Sequence, residues 1–100
     1  MFFSILLSLY HKEKSEYFDQ CFESIWTRQI LKPTEIVLVL DGPIGNELTN
    51  SVQKWQSKIG DALKIIALPQ NVGLGKALNE GLKHCTYEWV FRMDTDDICT

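Results

Sequence analysis

Ile36-Val37-Leu38-Val39-Leu40 is an unbroken apolar run that stops at Asp41-Gly42-Pro43. Three of its five residues are β-branched, which crowds a helix and suits a pleated surface. A short run with no polar alternation is the pattern of a strand covered on both faces, as in a parallel sheet. Gly42 and Pro43 end it sharply and leave an acid, Asp41, at its tip.

Residues 2–9 on the amino-terminal side are rich in Phe, Ile and Leu and free of charge, and read as a first strand. The run has no basic residue before it and no small-residue cleavage site after it, and it is too short to span a bilayer, so neither a signal peptide nor a membrane span is expected. From about Ser15 the period changes. Phe18, Cys21, Phe22, Ile25 and Trp26 recur at spacings of three and four among charged residues, predicting an amphipathic helix that ends before Pro33.

On the carboxyl side, Leu48, Val52, Trp55 and Ile59 mark a second helix that Gly60 closes. Residues 63–68 form a third apolar strand stopped by Pro69. Asn71-Val72-Gly73-Leu74-Gly75 reads as a loop, and Leu74, Ala77, Leu78, Leu82 and Cys85 as one face of a third helix. Residues 87–93, ending Trp89-Val90-Phe91-Arg92-Met93, read as a fourth, buried strand. The order βαβαβαβ predicts an α/β fold, a mainly parallel open sheet with helices on both faces, in one continuous domain over residues 1–100. In such sheets ligands bind beyond the carboxyl ends of the strands. Residues 8–11, 41–44, 69–75 and 94–97 all fall on that edge.

Composition narrows the partners. With 10 basic and 13 acidic residues in 100, a net charge of −3 and scattered lysines, the chain lacks the basic face that nucleic acid requires. Cys21, Cys85 and Cys99 are odd in number and show no C-x-x-C spacing, which indicates neither a disulfide framework nor a zinc site and fits a reducing, cytoplasmic setting.

The polar residues at the predicted edge carry the chemistry. Asp94, Asp96 and Asp97 place three carboxylates within four positions. Their repulsion is relieved by a divalent cation, Mn²⁺ or Mg²⁺, held with the oxygens of a bound phosphate, or by solvent in an ordinary acidic turn or helix cap. Asp41 is either a turn former beside Gly42 or an acceptor for the imide N–H of a uracil ring on which Tyr10 stacks. Gly73-Leu74-Gly75-Lys76 resembles a phosphate loop, but Gln70 and Ala77 stand where the Walker pattern needs Gly and Ser or Thr. Glycines relieving strain beside a solvated Lys76, and a phosphate-facing Lys76, therefore both stay open. The turn after the first strand has no glycine, which argues against a dinucleotide fingerprint. His11 and His84 read as surface residues, Trp26 and Trp55 as core.

Taken in order, these segments resemble the inverting, GT-A-type glycosyltransferases of family 2. Residues 3–10 are similar to the family's opening strand, with Ser8 and Tyr10 facing the donor base, and Asp41 matches its uracil-binding aspartate. Asn71-Val72-Gly73 followed by Ala77, Asn79 and Gly81 resembles its Asn-x-Gly and Ala-x-Asn-x-Gly segment. Met93-Asp94-Thr95-Asp96-Asp97 is similar to its D-x-D-D site. Leu40, Pro43 and Leu7 depart from the residues common at their positions. The resemblance implies a donor-nucleotide site built from Ser8, Tyr10, Asp41, Asn71, Gly73, Lys76, Asn79 and Asp94, with Asp96 or Asp97 on Mn²⁺ or Mg²⁺ and Asp94 or Asp96 on the donor ribose.

It further implies transfer of a sugar from a nucleotide diphosphate donor, UDP above all, to a saccharide or lipid-linked acceptor in bacterial surface polysaccharide synthesis. Metal-assisted departure of the diphosphate is needed for this, as is a general base expected beyond Thr100, so these 100 residues are read as the donor-binding portion of a longer enzyme and as inactive alone. Membrane association, at the inner face of the plasma membrane, is expected only through parts outside this sequence. The competing readings are a nucleotidyltransferase, for which residues 8–12 supply no glycine-rich loop, and a non-catalytic metal- or nucleotide-binding α/β module, for which no acid pair follows the first strand before Glu13.

Overall fold

The computed structural model describes residues 2–27 and 32–94. Four parallel strands run β1 (Phe3–Leu9), β2 (Glu35–Leu40), β3 (Leu63–Ala67) and β4 (Trp89–Asp94), in the spatial order β3-β2-β1-β4. The three α-helices are α1 (Ser15–Phe22), α2 (Asn46–Ile59) and α3 (Leu74–Leu82). This is the alternating α/β architecture that the periodicities predict.

Alternation along the strands sorts the core into two layers. Phe3, Ile5, Leu7 and Leu9 of β1 and Ile36 and Leu38 of β2 pack with Phe18 and Phe22 of α1 and Val52 and Trp55 of α2. Leu6, Val37 and Val39, on the opposite face, pack with Ala77 and Leu78 of α3. All seven residues of β1 are buried, because the strand lies between β2 and β4 and both of its faces are covered. Burial of apolar side chains at this density supplies the main drive for the fold.

Three expectations are corrected. The first helix is not regular over its described length: α1 passes at Glu23 into a π-helical turn, Glu23–Thr27, which turns Ser24 and Ile25 into the core beside Cys21 and Phe22, while Trp26 is half-buried. The expected apolar face of α3 is shifted. Leu74 and Leu82 are exposed, and the buried row is Ala77, Leu78 and Gly81. A side chain at Gly81 would collide with Leu6 and Val39, so its absence lets the helix sit close to the sheet.

The fourth strand is not buried. It pairs only with β1, in the register Phe3↔Trp89, Ile5↔Phe91 and Ser8↔Asp94, and forms one edge of the described sheet. Trp89 and Phe91 are 57% and 48% exposed, although Phe91 meets Phe3 edge to face at 5.5 Å. An apolar run signals a strand, but an edge and a centre share that signal. Tyr87 precedes the strand and stacks on Phe2.

The amino ends of the strands are pinned by one carboxylate that sequence reading passed over. Glu35, buried at the start of β2, accepts from Ser4 Oγ at 2.7 Å and from both the amide and the hydroxyl of Thr86, and pairs with Lys64 Nζ at 2.6 Å. Lys64, in β3, is thereby tied into the sheet.

Candidate functional site

At the carboxyl edge the strand order reverses. β1, β2 and β3 step in one direction, and β4 returns to the other side of β1, so the gap between the tips of β1 and β4 is the topological switch point where α/β sheets bind ligands. Ser8 of β1 is at this point, nearly buried, on the face that carries Leu6 and α3, and the backbones of Val39 and Asp94 flank it in register. Tyr10 follows immediately after β1, 39% exposed, with its ring edge-on to His11 at 5.8 Å.

Asp41 lies at the tip of β2. Its amide donates to the Leu9 carbonyl at 2.7 Å, and its side chain is almost wholly buried. Oδ1 accepts the amide of Val72 at 2.7 Å and Oδ2 that of Gly73 at 3.2 Å, while Asn71 Nδ2 donates to the Asp41 carbonyl at 3.3 Å. The amide of Leu68 donates to the Leu40 carbonyl at 2.9 Å, tying the tip of β3 to that of β2. Gly42 has φ +85°, and a Cβ there would lie 2.7 Å from the Asn71 amide nitrogen. Both its backbone angle and this close approach require glycine.

Ser8, Tyr10, Asp41, Asn71 and Gly73 are thus gathered around the strand tips. Lys76 and Asn79 are placed on the flank of α3, where they line an open groove of about 590 Å³ with Leu68, Pro69, Val72 and Lys83. Among the described contacts neither reaches Asp41 or Tyr10. A second groove, about 460 Å³, lies on the other side of the β3 tip between Pro43, Ile44 and Thr49 and holds none of the expected site residues.

For Asp94 the structure gives the backbone, which ends β4 opposite Ser8. Asp96 and Asp97, the expected metal ligands, lie outside the described residues. Among the described residues no three His, Cys, Asp or Glu side chains gather as a cation site.

Two residues at this edge were missed by sequence reading. Val72 contributes through its amide, which leaves no trace in residue type. Gly42 was legible as a turn residue, but its close contact with the 70–71 backbone depends on a segment about thirty positions away.

Comparison with known proteins identifies the family. The profile of the family described as "Glycosyl transferase family 2" matches residues 4–100. The chain belongs to glycosyl transferase family 2. It is 54% identical over 99 residues to an "Uncharacterized glycosyltransferase" of Haemophilus influenzae, covering 99% of this chain and 36% of the relative. It is 52% identical to "Amylovoran biosynthesis glycosyltransferase AmsE" of Erwinia amylovora, covering 97% of this chain and 35% of that protein. To the Escherichia coli "UDP-Gal:alpha-D-GlcNAc-diphosphoundecaprenol beta-1,3-galactosyltransferase" the identity is 33%, over 96% of this chain and 34% of the relative. The chain therefore spans about a third of the length of the curated relatives it matches.

Among solved structures it resembles S. aureus TarS, with a TM-score of 0.79 at 30% identity over 98% of this chain and 17% of TarS. A Pyrobaculum calidifontis mannosyltransferase, solved with GDP-Man and Mn2+, superposes with a TM-score of 0.81 at 22% identity, over 96% of this chain and 28% of that one, which shows the shared fold. Among the described residues no helix is long and apolar enough to cross a membrane.

Proposed function

We propose that this chain is the donor-nucleotide portion of an inverting glycosyltransferase that takes a sugar from a nucleoside diphosphate, UDP by preference. The observation that carries the reading is the convergence of Ser8, Tyr10, Asp41 and the 71–73 segment along the carboxyl edge of the sheet, where the backbone of β4 also ends at Asp94 beside Ser8. Family membership supports it, as does the UDP-sugar donor in the name of the Escherichia coli relative.

In this reading Tyr10 presents a ring face to the base, and Asp41, acceptor-only when ionised, takes the imide N–H with lone pairs its two amide bonds leave unused. Ser8 faces the base beside Tyr10, and the Asp94 carboxylate serves the ribose. Asn71 and Gly73 are assigned to the nucleotide-sugar at the strand tips, and Lys76 and Asn79 to its more distant end, since they lie on the α3 flank. Asp96 and Asp97 are proposed to hold a divalent ion, Mn²⁺ or Mg²⁺, whose chemistry is to neutralise the charge that develops on the departing diphosphate. The Mn2+ solved with GDP-Man in the mannosyltransferase supports a cation in proteins of this fold.

The residues assigned here serve the leaving-group side of the reaction. A saccharide or lipid-linked acceptor follows by analogy with the diphosphoundecaprenol in the Escherichia coli relative's name, and a polysaccharide product with that of the Erwinia one.

Calorimetric titration of the intact native protein with UDP, with and without Mn²⁺, tests the reading. Metal-dependent binding that Asp96→Ala abolishes is expected. Preference for a nucleoside triphosphate over UDP would instead indicate a nucleotidyltransferase.

A further inference from the structure

Both carboxylate oxygens of Asp41 are engaged by the chain's own backbone. Its two carboxylate oxygens take the amides of Val72 and Gly73 at 2.7 and 3.2 Å, and the adjacent Gly42 seats the same segment, since a Cβ there would lie 2.7 Å from the Asn71 nitrogen and 3.0 Å from the Gln70 carbonyl carbon. A base contact alone would call for a carboxylate open to the ligand. This one is 3% exposed and spends half of its roughly four acceptor sites on its own backbone. Its amide is in turn fixed to the Leu9 carbonyl, one residue before Tyr10. A single residue thereby links the tips of β1 and β2 to the loop that begins α3.

We propose that Asp41 is a positioning residue whose carboxylate holds the 71–73 segment against the strand tips and so sets the donor-binding edge before the nucleotide arrives. This rests on the donor-site reading given above and extends it: the loop is ordered on folding, so its ordering does not weigh against binding. Loss of the carboxylate removes the loop geometry as well as any contact with the base.

Amide hydrogen exchange on the intact native protein, without nucleotide, reads the hold directly. Hydrogen bonds to a charged acceptor predict that Asp41→Ala speeds exchange at Val72 and Gly73 by about tenfold to a hundredfold. Asp41→Asn, a milder change that keeps one acceptor oxygen, is expected to lose protection at only one of the two amides. The second arm measures UDP affinity in the presence of Mn²⁺. Gly42→Ala leaves the carboxylate in place but crowds the Asn71 backbone, and is expected to weaken UDP about tenfold through displacement of the loop.

Unchanged exchange in Asp41→Ala overturns the proposal, because the residue would then serve the base alone. Wild-type UDP affinity in both Gly42→Ala and Asp41→Asn also overturns it, because the hold would then be structural without consequence for the site. If the wild-type protein does not bind UDP at all, the donor reading fails and the role for this hold fails with it, a result distinct from the first because exchange is measured without nucleotide.

Discussion

Thr86 binds Glu35 twice, its amide and its hydroxyl each donating to the carboxylate at 2.8 Å across 51 residues of sequence. With Ser4 and Lys64 the group joins the starts of β1, β2 and β3 to the turn before β4. Burial alone would raise the carboxyl's pKa. The bond from Lys64, the Thr86 amide, Ser4 and the Thr86 hydroxyl together outweigh it and bring the pKa down to about 2.

An acid-stability prediction follows from the direction of that change. The folded pKa lies below the unfolded one, so the unfolded chain binds more protons as pH falls and the stabilisation, complete above about 4.5, drains away toward pH 2. Its size is about 3 kcal/mol, since each tenfold change in proton affinity between the folded and unfolded chain is worth about 1.4 kcal/mol. Urea denaturation between about pH 7 and pH 2 should show Glu35→Gln less stable at neutral pH and converging on the wild type in acid. A constant gap at every pH would show that another group governs the acid limb.

Gly81→Ala tests the close approach of α3 to the sheet. In an open helix the change would be stabilising by up to about 1 kcal/mol, because glycine is the poorer helix former. Here the added methyl meets Leu6 and Val39, both fully buried, so overpacking reverses the sign and a loss of about 1–3 kcal/mol is expected. Thermal denaturation should show a lowered Tm; a raised one would mean that the helix can lift from the sheet without cost.

Ser24→Ala is expected to act in the opposite direction. The π-helical turn buries this side chain completely, and among the described residues its hydroxyl has no hydrogen-bond partner. Removing a buried, unsatisfied hydroxyl recovers its desolvation penalty, about 1 kcal/mol or more, which for a chain of this size raises Tm by about 4–8 °C. A fall in Tm on calorimetry would reveal a bound water or another partner for the hydroxyl.

What the sequence made legible was whatever depends on local period and local chemistry. The first and second apolar runs read correctly as strands, buried over Phe3–Leu9 and Ile36–Val39, and Trp55 as core, because hydrophobic spacing encodes them directly, although Phe2 lies outside β1 and is exposed. The gathering of Tyr10, Asp41 and Asn71 followed from the fold class and the rule for parallel sheets. The exposure of Trp89 and Phe91 did not, because strand order is a property of the whole sheet and a run of apolar residues looks the same at its edge. Asp41's double bond to Val72 and Gly73 was hidden for a related reason: its partners are backbone amides, which every residue but proline carries. The π-helical turn after Phe22 adds a residue to a helical ladder and so blurs the period that would announce it.

Tyr10 separates stacking from hydrogen bonding in the proposed donor site. It sits one residue beyond β1 at the switch point, and it is 39% exposed although the preceding Leu9 is buried completely. Such a ring contributes to the fold only weakly and is available to a planar ligand. Stacking of a base on an aromatic side chain is worth about 1–3 kcal/mol, so Tyr10→Ala should weaken UDP by about tenfold or more with little change in Tm. Tyr10→Phe keeps the ring and loses only the hydroxyl, and should bind nearly as well as the wild type. Equal losses in the two variants would assign the contact to the hydroxyl, and no loss in either would remove Tyr10 from the site.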